Sequence, residues 1–342
     1  MNLITKSAFT FLLFISCIIY ASPSDDEFDN ALSSLGAFQS SQARQAIQIL
    51  LQADQSTLKK IHKALAEVSA EENKISDYQS EAFYKIAAKK IQLVMVLGLI
   101  GDQKSIKPLI DADKISLPEH MVHQQIFSSL AQIGPSEEIY LYAKKVLNTE
   151  GVSIIHQRSA FVPLIMNLNP ELSSIVTKYL ANNTSTDIKD MAIFLGAKLG
   201  LKDLIMPHIK SWLAKPLRDV GDYYVLLALA EIVSPDEFVK SVKYKALSQN
   251  FVSLAKKYND FKYAKTKDDK NNQVSVLLSS SAFELRLLAL EYLLKNKRLD
   301  LLERNQVVTK DQNNNWTVPY KYAAEMRMLG YKIKSNGDIA TI

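Results

Sequence analysis

Glu119, His120 and His123 are the nearest approach to a metal cluster, with the two histidines three residues apart at the start of an expected helix. A zinc site needs three or four N, O or S ligands that converge, and the helical His-Glu-x-x-His arrangement that supplies two of them is missing. His123 also falls on a position that recurs along the chain, occupied by Lys90, Arg158 and Lys189 in equivalent places. A repeated polar position is the plainer reading, so no metal is expected. His62, His156 and His208 have no ligand companions in the sequence. No Gly-x-Ser-x-Gly elbow, phosphate-cradling glycine loop or dinucleotide fingerprint occurs. We therefore expect no catalytic residue and no cofactor.

Lysines offer a second kind of chemistry. Lys107, Lys144, Lys145, Lys178, Lys210 and Lys240 all stand on stretches that read as the second helix of a repeated pair, with Tyr140 and Trp212 on the same stretches. Such a row could hold an extended anionic ligand. Acids open the same helices, at Glu137, Glu138, Glu171, Asp236 and Glu237. Acid in the first turn and lysine toward the end is also what the helix dipole favours, so a purely structural explanation competes with binding. The candidate binding residues are Lys107, Tyr140, Lys144, Lys178, Lys210 and Lys240.

The elements that would position these residues are legible as a repeat. Five segments close at Gly101, Gly134, Asn169, Gly200 and Val233, separated by 33, 35, 31 and 33 residues. One, four, seven and eight residues before each closing position stand Ile100, Leu97, Val94 and Leu93, then Ile133, Leu130, Phe127 and Ile126. The next set is Leu168, Ile165, Val162 and Phe161. The last two are Leu199, Gly196, Ile193 and Ala192, then Ile232, Leu229, Leu226 and Val225. These offsets return to one face at 3.6 residues per turn, so each set marks a buried helical stripe, broken only by Gly196. A short turn follows, and Pro135, Pro170 and Pro235 then open a second helix, where the missing N–H costs nothing. Ser234-Pro235-Asp236-Glu237 has capping-box spacing. Four buried side chains cannot offset the entropy of ordering about thirty residues, so the pairs must stack and share their buried faces.

At this point the chain resembles the HEAT-repeat family, including its bacterial HEAT-like branch. The residues that carry the resemblance are Leu97-Gly98-Leu99-Ile100-Gly101-Asp102 followed by Ser105-Ile106-Lys107-Pro108-Leu109-Ile110, and Leu204-Ile205-Met206-Pro207-His208-Ile209. Arg158-Ser159-Ala160 and Arg286-Leu287-Leu288-Ala289 add a basic-then-alanine spacing. The resemblance implies an all-α, right-handed α-solenoid of antiparallel helix pairs, with second helices lining its inner surface. It covers residues 85 to 245 well and 281 to 304 loosely. It names no partner, because the family serves many kinds of binding. Tetratricopeptide repeats share the period, but their tryptophan, glycine and tyrosine spacing is missing.

Both ends are expected to be atypical caps. Residues 1–21 read as a secretory signal, with Lys6 before an apolar run from Ser7 to Tyr20 and Ala21 as the cleavage residue. Cys17, the one cysteine, lies inside it, so the mature chain would hold no thiol. Loss of Lys6 would reduce the net charge from +5 to +4, too mild and too scattered for nucleic-acid binding. No later stretch reaches membrane-spanning length. Residues 22–84 read as an N-terminal helical cap, including helices at Ala43–Ala53 and Thr57–Val68, and 85–260 as the repeats. Residues 261–280 read as a polar loop around Lys265–Asn272, which lacks periodicity. Residues 281–342 read as a degenerate repeat and C-terminal cap. There Val307–Thr309 and Trp316–Val318 suggest a hairpin, and Tyr320–Leu329 a closing helix stopped by Gly330.

The expected function is that of an exported, periplasmic or secreted, non-catalytic scaffold that binds a protein or peptide. The alternative is a cell-envelope enzyme or accessory subunit acting on a polymeric substrate. Some lytic transglycosylases are helical superhelices, but their catalytic Glu-Ser pair is absent here.

Overall fold

A computed structural model describes residues 23–37, 40–116, 121–181, 185–214, 221–242 and 249–342. The expected signal sequence, Glu119 and His120 lie outside them. The described part is all-α apart from two short hairpins. Its helices are α1 (Asp25–Ser33), α2 (Ser41–Leu50), α3 (Gln55–Glu72), α4 (Glu81–Ile100), α5 (Ile106–Lys114), α6 (Val122–Ile133), α7 (Glu137–Asn148), α8 (Ile154–Met166) and α9 (Ser173–Ala181). They continue with α10 (Thr186–Lys198), α11 (Lys202–Leu213), α12 (Gly221–Ile232), α13 (Pro235–Val242), α14 (Gln249–Lys262), α15 (Lys267–Leu278), α16 (Phe283–Lys295), α17 (Leu299–Arg304) and α18 (Tyr320–Met328). None of them is long and apolar enough to cross a membrane.

Local chemistry explains where the helices begin and end. Ser24, Ser40, Asp54, Ser80 and Ser153 each accept a bond from a backbone N–H of the following first turn. Ser234 Oγ accepts from Glu237 N at 3.4 Å, the main-chain half of the expected capping box. Gly101 ends α4 at φ 72°, a left-handed conformation that glycine adopts without penalty.

The chain divides into two compact units. The first holds the described residues up to Tyr142 together with Val307–Ile342, and the second holds Ala143–Gln306, so the boundary falls within α7. In the first unit α4 packs on α3 and α6, α5 on α6, and α18 on both α4 and α6. In the second, α8, α10, α12, α14 and α16 pack each on the next in that order. Alongside them α9, α11 and α13 lie against α10, α12 and α14. Within the second unit, first helices thus lie against first helices.

The stripe residues are largely inside. Leu93, Val94, Leu97, Ile126, Phe127, Leu130, Phe161, Ile165, Ala192, Ile193, Val225, Leu226 and Leu229 are buried. The position just before each closing residue is weaker: Ile133 is buried, Ile100, Leu199 and Ile232 are half-buried, and Leu168 is exposed. Helices α10 and α12 are apolar on nearly every side because they have neighbours on both flanks. Gly196 has its reason in the same packing, since a Cβ there would lie 2.6 Å from Ile205.

Burial on the stripe yields a direct expectation. Leu130→Asp and Leu229→Asp place a carboxylate where exposure is 0% and 1%, at a cost of several kcal/mol. Lys144→Ala removes a half-exposed ion pair with Glu171, worth about 0–1 kcal/mol. Thermal melts should show loss of the folded state in the first two variants and almost no shift in the third.

The C-terminal part of the chain departs from expectation in one place. Residues 261–280 are mostly helical, not a polar loop: Thr266 caps α15 by accepting from Asp269 N, and Val274, Leu277 and Leu278 bury one face. The acids Asp268 and Asp269 that suggested solvation stand in its first turn, where the dipole favours them. Residues 307–342, the expected C-terminal cap, belong to the first unit. Within them, the expected hairpin forms as β1 (Thr309–Lys310) with β2 (Trp316–Thr317), and a second one, β3 (Tyr331–Ile333) with β4 (Ile339–Thr341), had not been anticipated. Its cue is Asn336-Gly337, with Gly337 at φ 93°.

Candidate functional site

The position eleven residues before the closing residue carries polar side chains, buried in the first unit and half-buried in the second. In the first unit this position on α4 is Lys90, whose Nζ donates to Glu72 Oε2 at 2.6 Å and to Ser116 Oγ at 2.8 Å. Both Lys90 and Glu72 side chains are 0% exposed. Burial lowers the Lys90 pKa, and the charges of Glu72 and Asp113 oppose that shift. On α6 the position is His123, whose Nδ1 lies 2.6 Å from Asp113 Oδ1. Asp113 Oδ2 in turn accepts from the Tyr142 hydroxyl at 2.6 Å. The Tyr142 ring stacks on Phe127 with centroids 5.8 Å apart, and burial holds its hydroxyl far above the usual tyrosine range.

A histidine oriented by an aspartate is how many enzymes build a general base. Here His123 and Asp113 are each 1% exposed, so the pair is closed into the core. It orders α5, α6 and α7 against one another through a carboxylate that serves two donors.

The equivalent residue in the second unit is Arg158 on α8. Its Nη2 donates to Asp190 Oδ2 of α10 at 3.2 Å, and its guanidinium lies over the Tyr224 ring of α12 at 5.8 Å. Lys189, the fourth member of the series, is half-buried. Beside this pair the Tyr223 hydroxyl donates to Glu284 Oε2 at 3.2 Å, and burial raises the Glu284 pKa above its ordinary 4.5. Burial likewise raises Tyr223 and Tyr224. At the other end of α12, Glu231 meets Lys198, Lys262 and the Tyr258 hydroxyl.

Glu284 gives a pH prediction. A carboxyl whose pKa rises on folding contributes stability that is present below its unfolded value and lost as pH climbs through the folded one. Glu284→Gln should therefore melt increasingly above the parent as pH rises above the ordinary carboxyl value of 4.5. Equal melting curves for the two proteins above that value would refute the assignment.

Helix C-termini form a third group of sites. Arg327 of α18 donates from Nε to Gln132 O at 2.9 Å and from Nη2 to Gly98 O at 3.1 Å and Leu99 O at 2.8 Å. These carbonyls close α6 and α4. Desolvation pulls the Arg327 pKa down to about 10. In the second unit, Asn259 Nδ2 donates to Ala230 O at 2.7 Å and Val233 O at 2.9 Å, closing α12 where Val233 replaces the usual glycine. The Leu147 carbonyl near the end of α7 accepts from Lys178 Nζ and the Tyr179 hydroxyl, each at 2.8 Å.

Of the six expected binding residues, Lys107 and Tyr140 belong to the first unit and Lys144, Lys178, Lys210 and Lys240 to the second. Lys107 pairs with Asp111 on its own helix, and Tyr140 is 8% exposed and packs as a core residue. Lys144 pairs with Glu171 at 3.2 Å, and Lys178 caps α7. Lys210 and Lys240 are exposed on α11 and α13. Trp212 is half-buried and donates from Nε1 to Asp222 Oδ1 at 2.6 Å. The recurring cation was visible in the sequence. Its acids were not, because Glu72, Asp113 and Asp190 stand at unrelated offsets from Lys90, His123 and Arg158. Arg327 carried no cue at all, since its partners are main-chain carbonyls.

Comparison in sequence with known protein families and with curated proteins finds no significant match to this chain.

Proposed function

We propose that the helix pairs stack as a right-handed, HEAT-like α-solenoid, and that the chain is an exported, non-catalytic scaffold for a protein or peptide partner. The observation that supports this reading is a polar side chain that recurs at one phase of the repeat and meets an acid on a neighbouring helix. Lys90 and His123 meet Glu72 and Asp113 in the core of the first unit, and the half-buried Arg158 meets Asp190 in the second, so these groups join α4 to α3, α6 to α5 and α8 to α10. Burying such pairs contributes little net stability but fixes how neighbours register. A rigid surface with its polar chemistry turned inward suits recognition better than turnover. Recognition then falls to the second helices, where Lys210 and Lys240 stand exposed.

Affinity capture from the exported fraction of the native host tests this. The expected result is a stoichiometric protein partner retained by the parent chain and lost by the Lys210→Glu/Lys240→Glu variant at unchanged melting temperature. Copurification of glycan with turnover, or a partner indifferent to the variant, would overturn the proposal.

A further inference from the structure

The seat of α18 is shaped around one side chain. A Cβ on Gly101 would lie 2.1 Å from Arg327 Nε, and one on Gly134 would lie 3.2 Å from the Arg327 carbonyl oxygen. Two of the closing glycines of the repeat therefore clear space for the same residue. Desolvation alone accounts for the lowered Arg327 pKa, with no carboxylate contributing. The charge is held by the partial negative ends of α4 and α6. Around it Ala324, Met326 and Met328 are buried, Val307 and Val308 are fully enclosed, and the Tyr320 hydroxyl donates to Leu51 O at 2.9 Å.

The segment that delivers this residue starts at a strained joint. Gln306 is the last residue of the second unit and Val307 the first of the returning segment. Gln306 has φ 57°, just past the Asn305 cap of α17, at a place where glycine ordinarily takes the left-handed conformation. Short hinges under strain favour exchange between copies, because the exchanged form keeps every contact and can relax the hinge.

We infer that residues 307–342 form an exchangeable clasp, which a second copy of this chain can supply. In the resulting dimer each α4–α6 seat holds the Arg327 of the other copy, and Gln306 is free to leave its left-handed conformation. The surface that recognises the second copy is the one already occupied within a single chain, so no new complementarity is required. Exchange requires the clasp to come out first, so it is slow under native conditions and is set by concentration during refolding.

The full-length protein, unfolded and then refolded at low and high concentration, tests this by size-exclusion chromatography with light scattering. The expected result is a dimer that survives dilution, whose share rises several-fold with refolding concentration and falls several-fold in Gln306→Gly. Co-refolding Arg327→Ala with Gly101→Val pairs a sound seat with a sound clasp. It should give a heterodimer that melts above either variant alone. A chain that stays monomeric at every concentration, or a dimer share indifferent to Gln306→Gly, would overturn the inference. If the two variants do not fold even together, the parent and Gln306→Gly series decides the matter by itself.

Discussion

Lys90→Ala should destabilise the first unit by about 3–5 kcal/mol, because it leaves the Glu72 carboxylate buried and without its ammonium partner. Both side chains are 0% exposed, so neither water nor salt can compensate. The companion variant Lys90→Met/Glu72→Leu removes both charges at similar volume and should recover to within about 1 kcal/mol of the parent, or exceed it. Denaturant unfolding followed by a probe within residues 55–100 gives both values. If the single variant unfolds with the parent, the pair is not the buried ion pair described, and the proposed role of the recurring cation fails with it. The same contrast separates structure from chemistry: a group kept for reactivity would not be replaceable by methionine, whereas one kept for registry loses little when its partner goes too.

Arg327→Ala should be nearly as damaging. The change strips donors from Gln132 O, Gly98 O and Leu99 O at once, and each carbonyl left unpaired in the interior costs about 1–3 kcal/mol. Arg327→Lys should restore only part of the loss, since one ammonium cannot reproduce a planar fork that serves two helix ends. Gly101→Ala should behave in the same direction, combining a φ of 72° with a methyl group placed 2.1 Å from Arg327 Nε. Hydrogen exchange at the last turns of α4 and α6 should rise in Arg327→Ala. A variant whose amides there stay protected would show that the guanidinium is incidental to the closure of these helices.

The repeat stripe was legible because burial follows backbone periodicity, which a sequence displays directly. Leu97, Leu130, Ile165 and Leu229 are inside because their spacing leaves no other face for them. Leu168 shows the limit: the same periodicity includes it, but α8 ends at Met166 and leaves it exposed. Helix α15 was hidden for a different reason, since its first turn consists of charged and amide residues and its apolar face starts only at Val274. The buried pairs were half legible. A cation recurring at one phase can be counted along the chain, but the acid that meets it is chosen by three-dimensional neighbourhood. The return of residues 307–342 to the first unit was illegible altogether. Nothing in Arg327 or its surroundings says which carbonyls, some two hundred residues earlier, it will cap.

That return also sets an order on the chain's own biosynthesis. The described residues of the first unit up to Tyr142 lack the helix that closes α4 and α6 until residue 328 has been made, because that helix follows the entire second unit in the chain. Over the intervening stretch of synthesis the Gln132, Gly98 and Leu99 carbonyls wait for the Arg327 donors that will serve them.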